Sequence, residues 1–315
     1  MSARPDPGMY RERLGRRRLV GRLFLLTSLA ATLFGVIMLV VMLGAVVAKA
    51  LELPPEAPWY RIDLHIQELW AFLTHLATHF SSTSPKRAGY KAGIAGTLWL
   101  MGLVAVTAIP IGVGAAVYLE EIARPGRLKQ VIQTNLANLA GVPSIVYGIL
   151  GLVVFSRAFG FKPVDQRSLL IDGALTLALL VLPVVVIATQ EALRAVPPSL
   201  RQGALALGAT RWQVIRDHVL PSAIPGILTG TILALSRAVG ETAPLLLVGA
   251  ASSLFFLPNG PLDRYSALPV QIYDYAKLPR SEFRAISAGG ILILLAILLS
   301  MNAVAIFLRN RYARR

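Results

Sequence analysis

Six apolar runs of about twenty or more residues, at 23–48, 92–119, 131–156, 171–192, 224–250 and 285–308, constrain this chain more than any other feature. Each is long enough to cross the ~30 Å hydrocarbon core of a bilayer as a helix. A backbone surrounded by lipid must satisfy its own hydrogen bonds, and a helix does so within one segment. With 55% hydrophobic and only 15% charged residues among 315, the chain is too apolar for an ordinary soluble domain. The expected fold is all-α: a polytopic membrane protein with six transmembrane helices.

An even number of spans puts both ends on one side. Arg11, Arg13, Arg16, Arg17, Arg18 and Arg22 precede the first run, which places the N-terminus in the cytoplasm, and Arg309, Arg311, Arg314 and Arg315 place the C-terminus there too. The expected organisation is a basic cytoplasmic tail (1–22), a first transmembrane helix (23–48), an extracytoplasmic loop (49–91), a core of five further transmembrane helices (92–308) and a basic C-terminus (309–315). The net charge of +15 sits mainly at the edges of apolar runs, where topology explains it, so no nucleic-acid partner is expected. The small-x-small stretch Ala48-Lys49-Ala50 imitates a signal-peptide cleavage site, but the preceding run is far longer than a signal's apolar core and reads as a retained span. The chain has no cysteine, which excludes disulfides, thiol catalysis and cysteine-held metals.

In the first outer loop, LHIQELWAFLTHLATHF follows Pro54, Pro55 and Pro58 with helical spacing of its apolar residues. It reads as an amphipathic helix on the membrane surface, anchored by Trp59, Tyr60 and Trp70. His75 and His79 are spaced i, i+4, but without a third ligand nearby they read as solvated positions rather than a metal site.

One span carries charge. LALSRAVGETAPLLLVG, residues 233–249, places Arg237 and Glu241 on one helix face, within reach of each other. A charge at bilayer depth costs at least about 2.5 kcal/mol and persists only against protein, water or a ligand. Ser236, Gly240, Thr242 and Pro244 crowd the same turn, and Pro244 removes a backbone donor, so the helix is weakened there. A weakened polar segment inside a membrane protein points to a substrate path. A guanidinium fork matches an oxyanion, and a neighbouring carboxylate can accept a hydrogen bond from a protonated one, which favours phosphate over sulfate. A structural ion pair that only pins two helices remains the alternative.

Between the fourth and fifth runs lies the cytoplasmic segment 193–223, containing VPPSLRQGALALGATRWQVIRDHVLPSAIPG (196–226). Pro197-Pro198 suits the start of a helix, and Gly208 its C-terminal cap. Thr210 and Gln213 have capping-box spacing for a second helix, stopped near Pro221. Leu200, Ala204, Leu207, Trp212, Ile215 and Val219 recur at helical intervals in a segment too interrupted to span. Such a face fits a groove on a partner or, alternatively, the lipid headgroups.

The run GALALGATRWQVIRDHVLP resembles the signature cytoplasmic loop of bacterial ABC importer permeases. ILALSRAVGETAPLLLVG (232–249), NLAGVPSIVYGILGLVVF (138–155), AVYLEE (116–121), ALPVQIY (267–273) and MNAVAIFLRNR (301–311) narrow the likeness. Together they are similar to the A-type permease subunit of the phosphate-specific importer, over about residues 64–315. The resemblance implies an ABC importer permease-type core in the cytoplasmic membrane, paired with a paralogous C-type phosphate permease. It also implies a pair of ATP-binding subunits and an extracytoplasmic phosphate-binding protein. Gln202, Gly203, Ala204, Leu207, Gly208, Ala209, Thr210, Trp212, Leu220 and Pro221 would form the loop seated in the ATPase. Ser236, Arg237, Gly240, Glu241 and Thr242 would line the phosphate path. The chain departs from the pattern where Gln202 and Gly203 replace glutamate and alanine, and where Gln190 stands at a position often held by arginine.

Two other readings compete. A permease for sulfate or molybdate would share the Gly208 loop and differ in the fifth span. A secondary transporter needs several buried carboxylates for ion coupling, whereas Glu241 is the one found well inside a run. No G-x-x-x-x-G-K-[ST] phosphate loop occurs, so the chain is expected to be non-enzymatic and to hold no cofactor, with ATP and magnesium bound by the partner ATPase.

Overall fold

The computed structural model describes residues 7–51, 62–158, 169–251 and 253–313. Apart from one isolated backbone bridge between Leu169 and Arg264, the regular structure in the described residues is helical. In order these are α1 (Pro7–Leu51), α2 (Ile62–Thr78), α3 (Lys91–Val117), α4 (Arg127–Ala140), α5 (Ser144–Gly151), α6 (Leu170–Arg194), α7 (Pro198–Ala206), α8 (Arg211–Gln213), α9 (Leu220–Gly240), α10 (Ala243–Val248), α11 (Leu268–Ala276) and α12 (Glu282–Ala313). Wider π turns extend α3 (Tyr118–Ile122), extend α5 (Leu152–Ala158) and join α8 to α9 (Val214–Val219).

Among the described residues five single helices are long and apolar enough to cross a membrane: Arg18–Leu51, Lys91–Ile122, Leu170–Arg194, Arg211–Gly240 and Glu282–Arg311. The span expected over 131–156 is broken into a bent pair, α4 and α5, which meet at 103° and together are long and apolar enough to count as a sixth. The cause is local. Pro143 has no N–H to give the carbonyl of Leu139, four residues back, and it disfavours helical geometry at Val142. The Leu139 carbonyl accepts instead from Val142 N–H at 3.1 Å and from the Tyr147 hydroxyl at 2.7 Å, which straps the corner.

α6 is the most buried span and lies between α3 and α9. On α9, Gly226 and Gly230 face Ala192 and Ala188 of α6; a Cβ at Gly226 would lie 2.7 Å from that of Ala192, and one at Gly230 nearer still to that of Ala188. Small residues four apart are what let membrane helices approach this closely, where lipid removes the hydrophobic drive between them. α1 by contrast turns apolar side chains outward from Leu19 to Leu43, as a lipid-facing helix would.

Two expectations need correction. α2 does more than lie on a surface. Phe72, Leu73 and Leu76 pack with Tyr90, Tyr275, Phe283 and Ile286 in a core of their own, so α2 is part of the protein. Trp70 is exposed, and Trp59 and Tyr60 lie outside the described residues. His75 and His79 stack on each other at 3.9 Å, and no group of three metal-binding side chains occurs among the described residues. Second, Pro221 does not stop a helix. The π turn before it relaxes the register, the Ser222 hydroxyl donates to the His218 carbonyl at 2.7 Å, and the helix runs on from Arg211 to Gly240.

The α6–α9 contact yields a direct expectation. Gly230→Leu overpacks it and should destabilise the protein by about 1–3 kcal/mol. A thermal unfolding midpoint in detergent equal to wild type would show that this contact is not close in the folded protein.

Candidate functional site

At 1.5 Å per residue the helix Arg211–Gly240 is about 45 Å long, more than the ~30 Å of hydrocarbon. Its last turn carries Arg237, where the carbonyl end of the helix dipole favours a cation. The helix then breaks. Glu241 is extended, Thr242 opens α10, and Pro244 sits in the first turn of α10, so the weakening expected within 224–250 is a complete interruption. Gly148 of α5 makes room for it, since a Cβ there would lie 2.7 Å from the Pro244 Cα.

Arg237 Nε–H donates to Glu241 Oε1 at 3.4 Å, a long bond, with the side chains 44% and 18% exposed. The terminal nitrogens of Arg237 make no hydrogen bond among the described residues, so most of the guanidinium fork is free. Tyr147 of α5 is buried, with its hydroxyl on the Leu139 carbonyl at 2.7 Å. Gly240 is exposed with open space where a side chain would go, and the Thr242 hydroxyl turns back toward its carbonyl at 3.5 Å. Ser236 points elsewhere: its hydroxyl has Asn302 Oδ1 of α12 at 2.6 Å and its own helix's Ile232 carbonyl at 2.7 Å, and its one proton serves one acceptor at a time. Arg237, Glu241, Gly240 and Thr242 therefore share an open face, while Ser236 ties α9 to α12.

Sequence reasoning missed Tyr147 and Asn302, which lie in the quoted runs GVPSIVYG and MNAVAIF but carry no charge to draw notice. It also missed Asp172, a fully buried carboxylate in the first turn of α6. Asp172 Oδ2 accepts from Leu169 N–H at 3.2 Å and the Ser156 hydroxyl at 3.1 Å, so it works as a helix cap at the edge of a span. Gln190 is buried on α6 with its Nε2 unpaired.

The second site is the α7–α8 turn. Pro197 and Pro198 start α7, and Gly208 ends it with φ of 86°, a left-handed geometry that favours glycine. Thr210 and Gln213 form the expected reciprocal cap: Thr210 N–H donates to Gln213 Oε1 at 2.8 Å, and Gln213 N–H to Thr210 Oγ1 at 3.4 Å. The apolar residues do not form the single partner face that their spacing suggested. Ala204, Ile215 and Val219 are buried in a cluster with Val117, Leu193, Val196, Val214 and Ile227. Leu200, Leu205, Leu207 and Trp212 remain exposed, Leu207 at 91%. Gln202 and Gly203 lie within α7, with Gly203 open to its surroundings, and Ala209 lies on the turn that follows. Leu220 and Pro221 belong to the start of α9.

Residues 108–315 match the family model described as binding-protein-dependent transport system inner membrane component. The phosphate transport system permease protein PstA of Yersinia pestis is 30% identical over 309 residues, covering 96% of this chain and 95% of the relative. PstA 1 of Mycobacterium tuberculosis (strain ATCC 25618 / H37Rv) is 38% identical over 225 residues, covering 70% of this chain and 69% of the relative. The probable ABC transporter permease protein YqgH of Bacillus subtilis is 35% identical over 198 residues, and this chain spans just under two thirds of it, 63%. Among solved structures, a chain of a bacterial ABC transporter that imports alginate superposes with a TM-score of 0.59 at 17% identity, covering 96% of this chain and 99% of its own. A chain of the MetNI methionine ABC transporter in an inward-facing form gives a TM-score of 0.55 at 18% identity, with 70% and 96% covered. These structures establish a shared fold. With helices that cross a membrane, an interrupted charged span and a capped double-helix turn, this chain belongs to the family of binding-protein-dependent transport system inner membrane components.

Proposed function

We propose that this chain is the transmembrane permease subunit of an ATP-driven importer and that it carries inorganic phosphate across the bacterial cytoplasmic membrane by alternating access. The observation that carries the substrate is the free guanidinium fork of Arg237 on an open face at the break after α9, beside a carboxylate. The fork suits two oxygens of a phosphate, and Glu241 accepts a hydrogen bond from its protonated oxygen, which sulfate lacks at neutral pH. The relatives named as phosphate permeases support the same reading. Binding here is weak, since a tight site would retain its cargo; affinity belongs to the extracytoplasmic phosphate-binding protein.

A half-exposed arginine on a membrane helix needs protein or water over it. A paralogous C-type permease opposite α9 closes the path on that side. The exposed Leu200, Leu205, Leu207 and Trp212 suit a groove on a cytoplasmic ATP-binding subunit, one of a pair that supplies ATP and magnesium chemistry. Both termini are cytoplasmic. ATP binding draws the ATPase subunits together, moves the turn around Gly208 and shifts the population from outward-facing to inward-facing.

In vesicles carrying the full complex, Arg237→Ala and Arg237→Lys should lower ATP-dependent uptake of radiolabelled phosphate about tenfold or more, the loss of a charge-assisted bond, while assembly persists. Uptake at the wild-type level would reduce the pair to a structural clamp, and competition by excess sulfate would overturn the substrate. Separately, Gly208→Val forces a β-branched residue into left-handed geometry, a strain of about 1–3 kcal/mol. Less ATPase subunit should then co-purify with the permease, and full recovery would remove the Gly208 turn from the docking surface.

A further inference from the structure

α7 is held to the rest of the protein by little packing. Ala204 is its one buried residue. What fixes it is Arg201, whose side chain reaches three partners at once. Nη2 donates to Glu121 Oε1 at 2.8 Å and to the Leu193 carbonyl at 2.7 Å, and Nη1 donates to the Val196 carbonyl at 2.7 Å. The two carbonyls lie at the end of α6, where a helix has no partners of its own for its last carbonyls. Glu121 lies in the π turn that ends α3, eighty residues away in sequence. The pair is mostly covered, with side chains 24% and 12% exposed, so salt screens it less than a surface pair. A second link, Arg194 to Glu120 at 3.0 and 3.1 Å, joins the same two spans but is more exposed on its arginine, at 46%. Neither pair belongs to the open face around Arg237.

We infer that the Glu121–Arg201 ion pair positions the coupling helix, locking α7 to the ends of α3 and α6 so that a push on α7 reaches both spans as one rigid displacement. Arg201 and Glu121 are thus positioning residues that touch neither substrate nor nucleotide. Without the lock, α7 rocks on its proline-flanked joint at 195–197, and ATP hydrolysis proceeds without moving the spans. The inference rests on the transport reading above, in which α7 receives that push.

The test uses the full reconstituted complex with Glu121→Gln, Arg201→Gln, the double variant, Arg201→Lys and, for comparison, Glu120→Gln. Phosphate moved per ATP hydrolysed should fall about tenfold in Glu121→Gln and Arg201→Gln, the effect expected for one partly buried charge-assisted bond. The double variant should be no worse than Arg201→Gln alone, Arg201→Lys should recover part of the ratio, and Glu120→Gln should change it little. A second readout needs no substrate. The chain has no cysteine, so Ile122→Cys and Ser199→Cys, both exposed, take spin labels at the end of α3 and the start of α7. Their distance distribution should stay narrow through ATP binding in the otherwise unmodified chain and broaden with Glu121→Gln. A wild-type transport ratio with a narrow distribution in Glu121→Gln would overturn the lock, as would loss of assembly in every variant including Arg201→Lys. Narrow and broadened distributions as expected, with no phosphate uptake by the wild-type complex, would leave the lock standing and remove the transport reading.

Discussion

Hydrocarbon offers a polar group no partner, and this molecule is arranged around that fact. The hydroxyls of Thr107, Thr176, Thr229 and Thr231 each donate to a carbonyl one turn back in their own helix. The Leu139 carbonyl, which Pro143 cannot reach, is shared by Val142 N–H and the Tyr147 hydroxyl, and Asp172 holds the chain end that enters α6. Gln190 Nε2, both amide atoms of Gln271 and the second oxygen of Asp172, Oδ1, are buried exceptions without a hydrogen-bond partner among the described residues. Arg237 is the exception that faces outward, with a free fork on an open face. A charge left uncovered on a membrane helix calls for protein, water or a ligand over it.

The rest of the architecture links that face to the far end of the same helix. α9 is continuous through its π turn with α8, so the exposed Trp212 and the charged break are joined by one helix, Arg211–Gly240. The glycines of α9 press it onto α6, and α6 is tied to α3 along its length and through Glu120 and Glu121 at its end. A displacement applied at the turn thus has few places to be absorbed, as alternating access requires.

The parts legible in the sequence were those written in local chemistry. The apolar runs gave the spans, Pro197-Pro198 and Gly208 gave the bounds of α7, and the Thr210-Gln213 spacing gave a cap found in the structure. Arg237 and Glu241 were legible because a charge in an apolar run has few explanations. The misses arose where a neighbour decided. Pro143 was in plain view, but the length of 131–156 favoured one span over a corner that Tyr147 secures. Pro221 looked like a stop because the π turn that accommodates it has no sequence signature. The six apolar residues of 200–219 looked like one face because periodicity does not say which residues their own chain will cover. Glu121 with Arg201, and Ser236 with Asn302, are pairs that only the packed helices bring together.

The central claim is that Arg237 and Glu241 face a water-filled phosphate path in the assembled complex, and the accessibility of those positions tests it most directly. The cysteine-free chain allows single Arg237→Cys and Glu241→Cys variants to be exposed to a membrane-impermeant charged thiol reagent, with Phe34→Cys on the outward face of α1 as the lipid-facing reference. The account predicts rapid labelling at 237 and 241 and none at 34, with labelling at 241, where the Arg237 fork is retained, slowed by phosphate. Labelling at 237 and 241 no faster than at 34 would place the charge pair away from any water path and contradict the account.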